Sequence, residues 1–152
     1  MRFFLQVFAN LPTTLIMNRV MHCQNLFQDD NGVQYMTLRN ELRDTPAMGM
    51  IPAAKSAALA LLQGINGTAL GRVYLTRLAP KTKVAPAIEE NTGYSRYFVV
   101  LAGGQNALYT AGDESVDLRT GDAWFVDALQ PGMIVNNSGD DALLLMVDLR
   151  ID

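Results

Sequence analysis

Residues 112–127 read GDESVDLRTGDAWFVD, and this stretch decides the fold. Two short apolar segments, centred on Val116 and Trp124, are separated by a Thr-Gly-Asp triplet and preceded by a Gly-Asp pair. Glycine beside Asp or Thr is typical of tight turns. Strands this short between such turns are typical of antiparallel barrels and sandwiches. The stretch therefore predicts two neighbouring strands of a mainly β protein.

The same spacing continues on both sides of this stretch. From Leu70 onward, apolar runs alternate with turn residues every eight to twelve positions, a spacing typical of all-β folds. The glycine pair Gly103-Gly104 is expected to form a hairpin turn. The pattern predicts eight strands, at residues 71–78, 83–87, 94–101, 106–110, 115–119, 123–127, 133–136 and 142–149. Eight strands at this spacing predict a double-sheet jelly roll or a related barrel.

The N-terminal half has a different pattern. Residues 3–8 and 33–39 alternate and are rich in β-forming residues, so each predicts a strand. Helices are predicted after Pro12 and from Pro52 to Gly64, because proline is tolerated in the first turn and glycine often ends a helix. Residues 44–50 are expected to form a loop.

Together these patterns predict a mainly β fold, a double-sheet jelly roll or a related barrel. The two helices of the N-terminal half are expected to pack on one of its sheets. At 152 residues the chain is expected to be one domain. Residues 1–69 would form a strand-helix-strand-helix brace, and residues 70–152 the barrel core.

The composition of the chain indicates which classes of partner it can have. Charged residues make up 18% of the chain, below the ~25% of an ordinary soluble domain. So little charge predicts a homo-oligomer or a part of a larger assembly, with a well-buried monomer as the alternative. A net charge of −3 without a basic run argues against nucleic acid, and no apolar stretch is long enough for a membrane span. The single cysteine, Cys23, fits a reducing compartment, so we expect a cytoplasmic protein.

Four segments together resemble one family. They are GRVYLTRLAPKTKVAP, YSRYFVVL, the opening GDESVDLRTGDAWFVD, and VNNSGDDALLLMVDLR. In order and spacing they resemble the aspartyl/asparaginyl β-hydroxylase-like family over roughly residues 33–150. That family is a branch of the iron- and 2-oxoglutarate-dependent oxygenases, which have a double-stranded β-helix.

The resemblance implies an iron site of two histidines and one carboxylate. The first histidine falls at Ala87 and the carboxylate at Glu89, one methylene longer than the usual Asp. The second histidine falls at Gly132. Neither Ala87 nor Gly132 has a side chain that can donate a lone pair, so we expect no metal and no cofactor.

The resemblance also implies an arginine that clamps the co-substrate, and this position is Ala142. Two further family histidines fall at Phe98 and Leu144. Among the polar family positions only Arg96 is retained. The one histidine, His22, lies beside Cys23 on a predicted helix, and both are expected to be ordinary helix residues.

Three functions follow from this comparison. The first is a non-catalytic pseudoenzyme that acts as a structural or interaction protein. Because proteins that resemble this family are common in bacteriophage genomes, the resemblance implies a virion component. The second is a small-molecule-binding protein, or an enzyme with a rebuilt site, whose polar groups at the barrel mouth are Glu89, Arg96 and Asp127. The third, a surviving oxygenase, needs two imidazoles where the chain has only His22.

Overall fold

The computed structural model describes residues 3–30, 33–40, 42–88 and 93–151. Three α-helices occur in these ranges: α1 (Thr14–His22), α2 (Pro46–Met50) and α3 (Pro52–Gly64). The strands are β1 (Phe4–Phe8), β2 (Gln28–Asp30), β3 (Val33–Arg39), β4 (Ala69–Leu78), β5 (Thr82–Val84), β6 (Tyr94–Ala102), β7 (Ala107–Ala111), β8 (Glu114–Asp117), β9 (Ala123–Val126), β10 (Gly132–Asn136) and β11 (Ala142–Arg150). No helix within the described ranges is long and apolar enough to cross a bilayer.

The strands form two sheets that face each other. The larger has the order β1-β9-β6-β11-β4-β3-β2, and the smaller has the order β5-β10-β7-β8. All of these pairings are antiparallel. Strands β4 to β11 alternate between the two sheets, except that β7 and β8 are consecutive strands of the smaller sheet. This is the connectivity of a double-stranded β-helix. The predicted fold class is therefore confirmed.

The larger sheet is covered on both faces, and β11 illustrates why its sequence is almost wholly apolar. Leu143, Leu145 and Val147 belong to the core that lies beneath the helices. Leu144 and Met146 alternate with them and belong to the core between the two sheets. Because successive residues of a strand point to opposite faces, a strand buried on both sides has a continuous apolar run.

Helix α3 packs on the larger sheet through small side chains. Ala54, Ala58 and Leu61 recur on one face and are fully or almost fully buried. Proline at the first turn suits this start because the amide that proline lacks has no partner within a helix at that position. The helix layer also includes α1, whose buried residues are Ile16 and Val20.

Two local predictions are wrong. Residues 44–50 were expected to form a loop, but Pro46–Met50 is the helix α2, which begins after the extended residue Thr45. The glycine pair Gly103-Gly104 is not a hairpin turn, because it joins β6 of the larger sheet to β7 of the smaller one. A Cβ atom on Gly103 would lie 1.9 Å from the Leu118 carbonyl oxygen, so the crossing itself requires glycine.

Candidate functional site

Three charged side chains lie in one row across the inner face of the larger sheet. Arg96 on β6 is opposite Asp148 on β11, and Arg72 lies on the neighbouring strand β4. The Arg72 Nε–H donates to Asp148 Oδ2 at 3.1 Å, and Arg96 Nε is 3.7 Å from Asp148 Oδ1. The side chains of Arg96, Asp148 and Arg72 are 2%, 5% and 37% exposed. The row therefore runs from the interior toward solvent at one end of the barrel, which we call the mouth.

Arg96 connects the larger sheet to the segment that follows β5. Its Nη1 donates to the carbonyl oxygen of Ala87 at 2.9 Å. Ala87 is one of the two positions at which the resemblance implies an imidazole ligand. A guanidinium cation lies there against a backbone carbonyl.

Tyr109 on β7 faces the same guanidinium from the smaller sheet. Burial raises the pKa of Tyr109 to about 12, although its hydrogen bond with Arg96 and the nearby positive charge act in the opposite direction. The phenol is therefore neutral at physiological pH. It stacks on Phe98, with 5.2 Å between ring centroids, so an aromatic pair fills the space beside Arg96.

Gly132, the other implied histidine position, is packed against this aromatic pair. A Cβ atom built there would lie 3.1 Å from Tyr109 Cε1 and 3.1 Å from the Thr110 carbonyl oxygen. One of these neighbours is backbone, so a larger residue would require β10 or β7 to move. The space that a side chain at Gly132 would need is therefore occupied by Tyr109 and the backbone of β7.

The opposite end of the barrel is filled by buried side chains. Ala142, the implied position of the co-substrate clamp, is fully buried and opposite Leu78. Next to it the Asn136 amide donates to the carbonyl oxygens of Leu78 at 3.1 Å and Asp140 at 2.8 Å. Ser138 donates its hydroxyl to Asn136 Oδ1 at 2.6 Å. Leu144, another implied histidine position, is also fully buried in the core between the sheets.

Three polar residues were predicted to meet at the mouth, and the structure places only some of them there. Arg96 is there, whereas Glu89 lies outside the described residues. The Asp127 carboxylate accepts a hydrogen bond from the Leu129 amide at 3.1 Å, within its own turn. His22 ends α1 and Cys23 follows it, buried in the core beneath the helices.

A cavity of about 290 Å³ opens between the sheets at the mouth. Its polar wall comes from the larger sheet and its apolar wall comes mainly from the smaller sheet and the segment after β5. The polar wall consists of Tyr35, Thr37, Arg72, Tyr74 and Thr76. The apolar wall consists of Val84, Pro86, Ala87, Ile134 and, from β11, Met146.

The residues at the mouth do not fit an iron(II) ion. Iron sites in this fold class are built from imidazole nitrogen and carboxylate oxygen, and the described side chains contain no cluster of three or more His, Cys, Asp or Glu that could hold a metal. At the closed end, Ala142 offers no charge to the far carboxylate of 2-oxoglutarate.

Sequence reasoning found Arg96 but missed Asp148, Arg72 and Tyr74. A signal for Asp148 is present, since it is the only acidic residue within the nine residues of β11. An acid inside a strand that is apolar on both faces requires a buried cationic partner. The alternation Arg72, Tyr74, Thr76 on β4 carried a similar signal, because it assigns all three side chains to one face of the strand.

No protein-family model matches this sequence, and no curated protein matches it either. Solved structures do match. A prolyl-4-hydroxylase from Pseudomonas putida aligns over 100% of this chain and 94% of its own, with a TM-score of 0.62 and 14% identity. A prolyl hydroxylase from Trichoplax adhaerens, in complex with a hypoxia inducible factor peptide fragment, aligns over 97% and 83%, with a TM-score of 0.71 and 9% identity.

A viral collagen prolyl hydroxylase from Paramecium Bursaria Chlorella virus-1, in its 2-oxoglutarate complex, aligns over 99% and 97%, with a TM-score of 0.63 and 8% identity. These similarities confirm the double-stranded β-helix of the 2-oxoglutarate- and iron-dependent oxygenases. At such low identities they show the fold alone. They do not show a relationship to the aspartyl/asparaginyl hydroxylases in particular.

Proposed function

We propose that this chain is a non-catalytic, hydroxylase-like β-barrel that acts as a structural or interaction protein within an assembly. The observation that carries the proposal is that neither implied histidine position offers a ligand side chain. Ala87 offers only its backbone carbonyl, which accepts from Arg96 Nη1 at 2.9 Å. A Cβ atom on Gly132 would lie 3.1 Å from Tyr109 Cε1.

The residues at the two further implied histidine positions support the same proposal. A metal-binding barrel must keep polar ligands in its interior, and each unpaired one is costly to bury. Here Phe98 and Leu144 are apolar and fully buried, while Asp148 neutralises Arg96. The interior is thus arranged for packing and for one internal ion pair, as a scaffold requires.

The outer face of the helix layer supports an interaction role. The exposed residues of α3 are Pro52, Ser56, Leu59, Ala60, Gln63 and Gly64, and none is charged. The one charged residue of the helix, Lys55, is partly exposed beside them and is paired with Asp44. Beside them, Leu15 of α1 is 72% exposed, and a groove of about 330 Å³ lies between the two helices. Solvent-facing helix surfaces are ordinarily charged and polar, so an uncharged one suits a protein contact.

The resemblance implies that the assembly is a bacteriophage virion, and one structural neighbour is itself a viral protein. Under this proposal the barrel is made in the cytoplasm and is then incorporated into the virion. Identification of the proteins that co-purify with this chain from infected cells would identify the partner.

The absence of catalysis is tested by metal analysis and by titration of 2-oxoglutarate in the presence of Mn(II). We expect less metal than protein after purification and no saturable binding of 2-oxoglutarate at millimolar concentration. A catalytically active prolyl hydroxylase of the same fold is the positive control. Micromolar affinity for 2-oxoglutarate, dependent on the metal, would contradict the proposal.

A further inference from the structure

We propose that the groove between α1 and α3 is a binding site for a neutral, apolar small molecule about the size of two fused six-membered rings. This inference goes beyond the scaffold role, since a protein contact needs no small-molecule ligand. It rests on the depth of the groove, on the chemistry of its walls and on its volume.

The groove reaches through the helix layer to the larger sheet. Ile16 of α1, Leu61 of α3 and Val99 of β6 all line it, and each of them is only 2% exposed. Val99 belongs to the core beneath the helices, so the groove extends from the outer surface of the helix layer down to the sheet. A molecule held there would be shielded from water on most of its surface, as is typical of small-molecule sites.

The space is open because the side chains around it are small or turned outward. Ala53, Ala57 and Ala60 of α3 line the groove at intervals of four and three residues, which places them on one side of the helix. Leu15 of α1 also lines it, but that side chain is 72% exposed and does not fill it. Apolar atoms that face a gap lose dispersion contacts, and an apolar ligand would restore them.

The walls suit a ligand without charge. The described residues that line the groove include no charged side chain, and their polar members are Thr13, Thr14 and Ser56. The charged residue of α3, Lys55, donates to Asp44 instead. A charge buried without a partner is costly, so both anions and cations are disfavoured. Hydroxyl groups donate and accept hydrogen bonds, so the walls can also hold one neutral polar group of the ligand.

The volume of the groove sets the size of the ligand. It is about 330 Å³. An apolar protein cavity of about 150 Å³ holds one benzene molecule. About twice that volume therefore accommodates two fused rings, and 2-naphthol combines such a ring system with a single neutral hydroxyl group.

The experiment is a ligand-observed NMR titration of the full chain with 2-naphthol in the presence of EDTA. The matched charged probe is 2-naphthoate, which has the same rings. We expect saturable binding of 2-naphthol with a Kd at or below about 1 mM, which about eleven non-hydrogen atoms can supply. The binding of 2-naphthoate should be at least about tenfold weaker. Equal affinity for the two probes, or no saturable binding of 2-naphthol, would overturn the proposal.

Variants locate the site. Ala57→Leu fills part of the groove and should weaken 2-naphthol binding about tenfold or more. Ala47→Leu makes the same change on α2, outside the walls of the groove, and should leave the affinity unchanged. Thermal unfolding checks that each variant is folded, and Ala60→Leu, at an exposed position of the same wall, replaces Ala57→Leu if that variant does not fold. Unchanged affinity in the folded groove variant would overturn the proposal.

A further variant separates a small molecule from a second copy of this chain as the occupant. Leu59 lies on the outer face of α3 and does not line the groove. Leu59→Glu is therefore expected to bind 2-naphthol as the natural chain does. Binding that occurs only in Leu59→Glu would overturn the proposal, because a second copy would then fill the groove of the natural chain.

Discussion

Asp148 is the residue on which the electrostatics of the barrel interior depend. It contacts both Arg72 and Arg96, and its side chain is almost fully buried. A buried guanidinium without a counter-ion is far more costly than one that is paired. The ion pair therefore holds β4, β11 and β6 together at the mouth, where the fold of the oxygenases is otherwise organised around a metal.

Replacing Asp148 by Asn tests this role. The amide keeps the shape but removes the charge that neutralises Arg96, so the free energy of unfolding should fall by about 3 kcal/mol. Urea unfolding at neutral pH measures the change. The matched control is Asp117→Asn, whose partner Arg119 is exposed and whose contribution should be well under 1 kcal/mol. An equal loss of unfolding free energy in both variants would contradict the stabilising role of Asp148 at the mouth.

At the scale of elements, the sequence predicts most barrel strands to within two residues and the connections poorly. The strand predicted at 83–87 is observed as Thr82–Val84, so its second half is wrong. The strand predicted at 94–101 is observed as Tyr94–Ala102, and that predicted at 123–127 as Ala123–Val126. These strands could be predicted because alternation and turn residues are local signals. The crossing between the sheets at Gly103-Gly104 could not be predicted, because a glycine pair is equally compatible with a hairpin turn and with a crossing.

The candidate site also contains residues that could be predicted from the sequence and residues that could not. Arg96 was found because a resemblance gave its position, and Ala87, Gly132 and Ala142 were found as positions without donors. The partner Asp148 is separated from Arg96 by 52 positions, and only the pairing of β6 with β11 brings them together. Interactions that depend on sheet order are not contained in the pattern of one strand.

An ion cluster around Asp44, in the segment before α2, joins α3 to the end of β3 and was not predicted from the sequence. Asp44 accepts from Lys55 Nζ at 2.5 Å and from Arg39 Nη1 at 2.9 Å. Its pKa is lowered below 3.8, first by the hydrogen bond from Lys55. A lowered pKa means that the folded state favours the ionised form, so its stabilisation is present above pH 3.8 and is lost as the pH falls through the lowered value.

Asp44→Asn should therefore reduce the free energy of unfolding by about 1 kcal/mol or less at neutral pH, since the ion pairs are partly exposed. The difference between the variant and the natural chain should shrink as the pH falls below the ordinary carboxyl range. Urea unfolding across a pH series measures it. Asp113→Asn, in an exposed turn, is the control. A difference that stays constant at low pH would exclude an ionic origin.

At the scale of the whole molecule, the larger sheet separates two cores that serve different purposes. One lies under the helices and the other between the sheets. The mouth cavity belongs to the second core, and the uncharged face of α3 lies outside the first. A substitution on one side of the sheet can therefore be made without touching the core on the other side.

The uncharged face of α3 is expected to bind a second copy of this chain. Two copies with a net charge of −3 repel each other least through a surface without charge. Leu59→Glu adds a negative charge at the centre of that face, so a dimer of the natural chain should become a monomer. Light scattering after size exclusion measures the mass.

Leu42→Glu is the control for this prediction, because Leu42 is 82% exposed on the turn between β3 and α2 and lies outside the α3 face. It adds the same charge to the chain, so a general effect of net charge would appear in both variants. A natural chain that is monomeric at high concentration, or a Leu59→Glu variant that is still dimeric, would contradict self-association through α3. Loss of the dimer in Leu59→Glu alone would assign the contact to the helix layer and leave the barrel mouth open to solvent in the assembled protein.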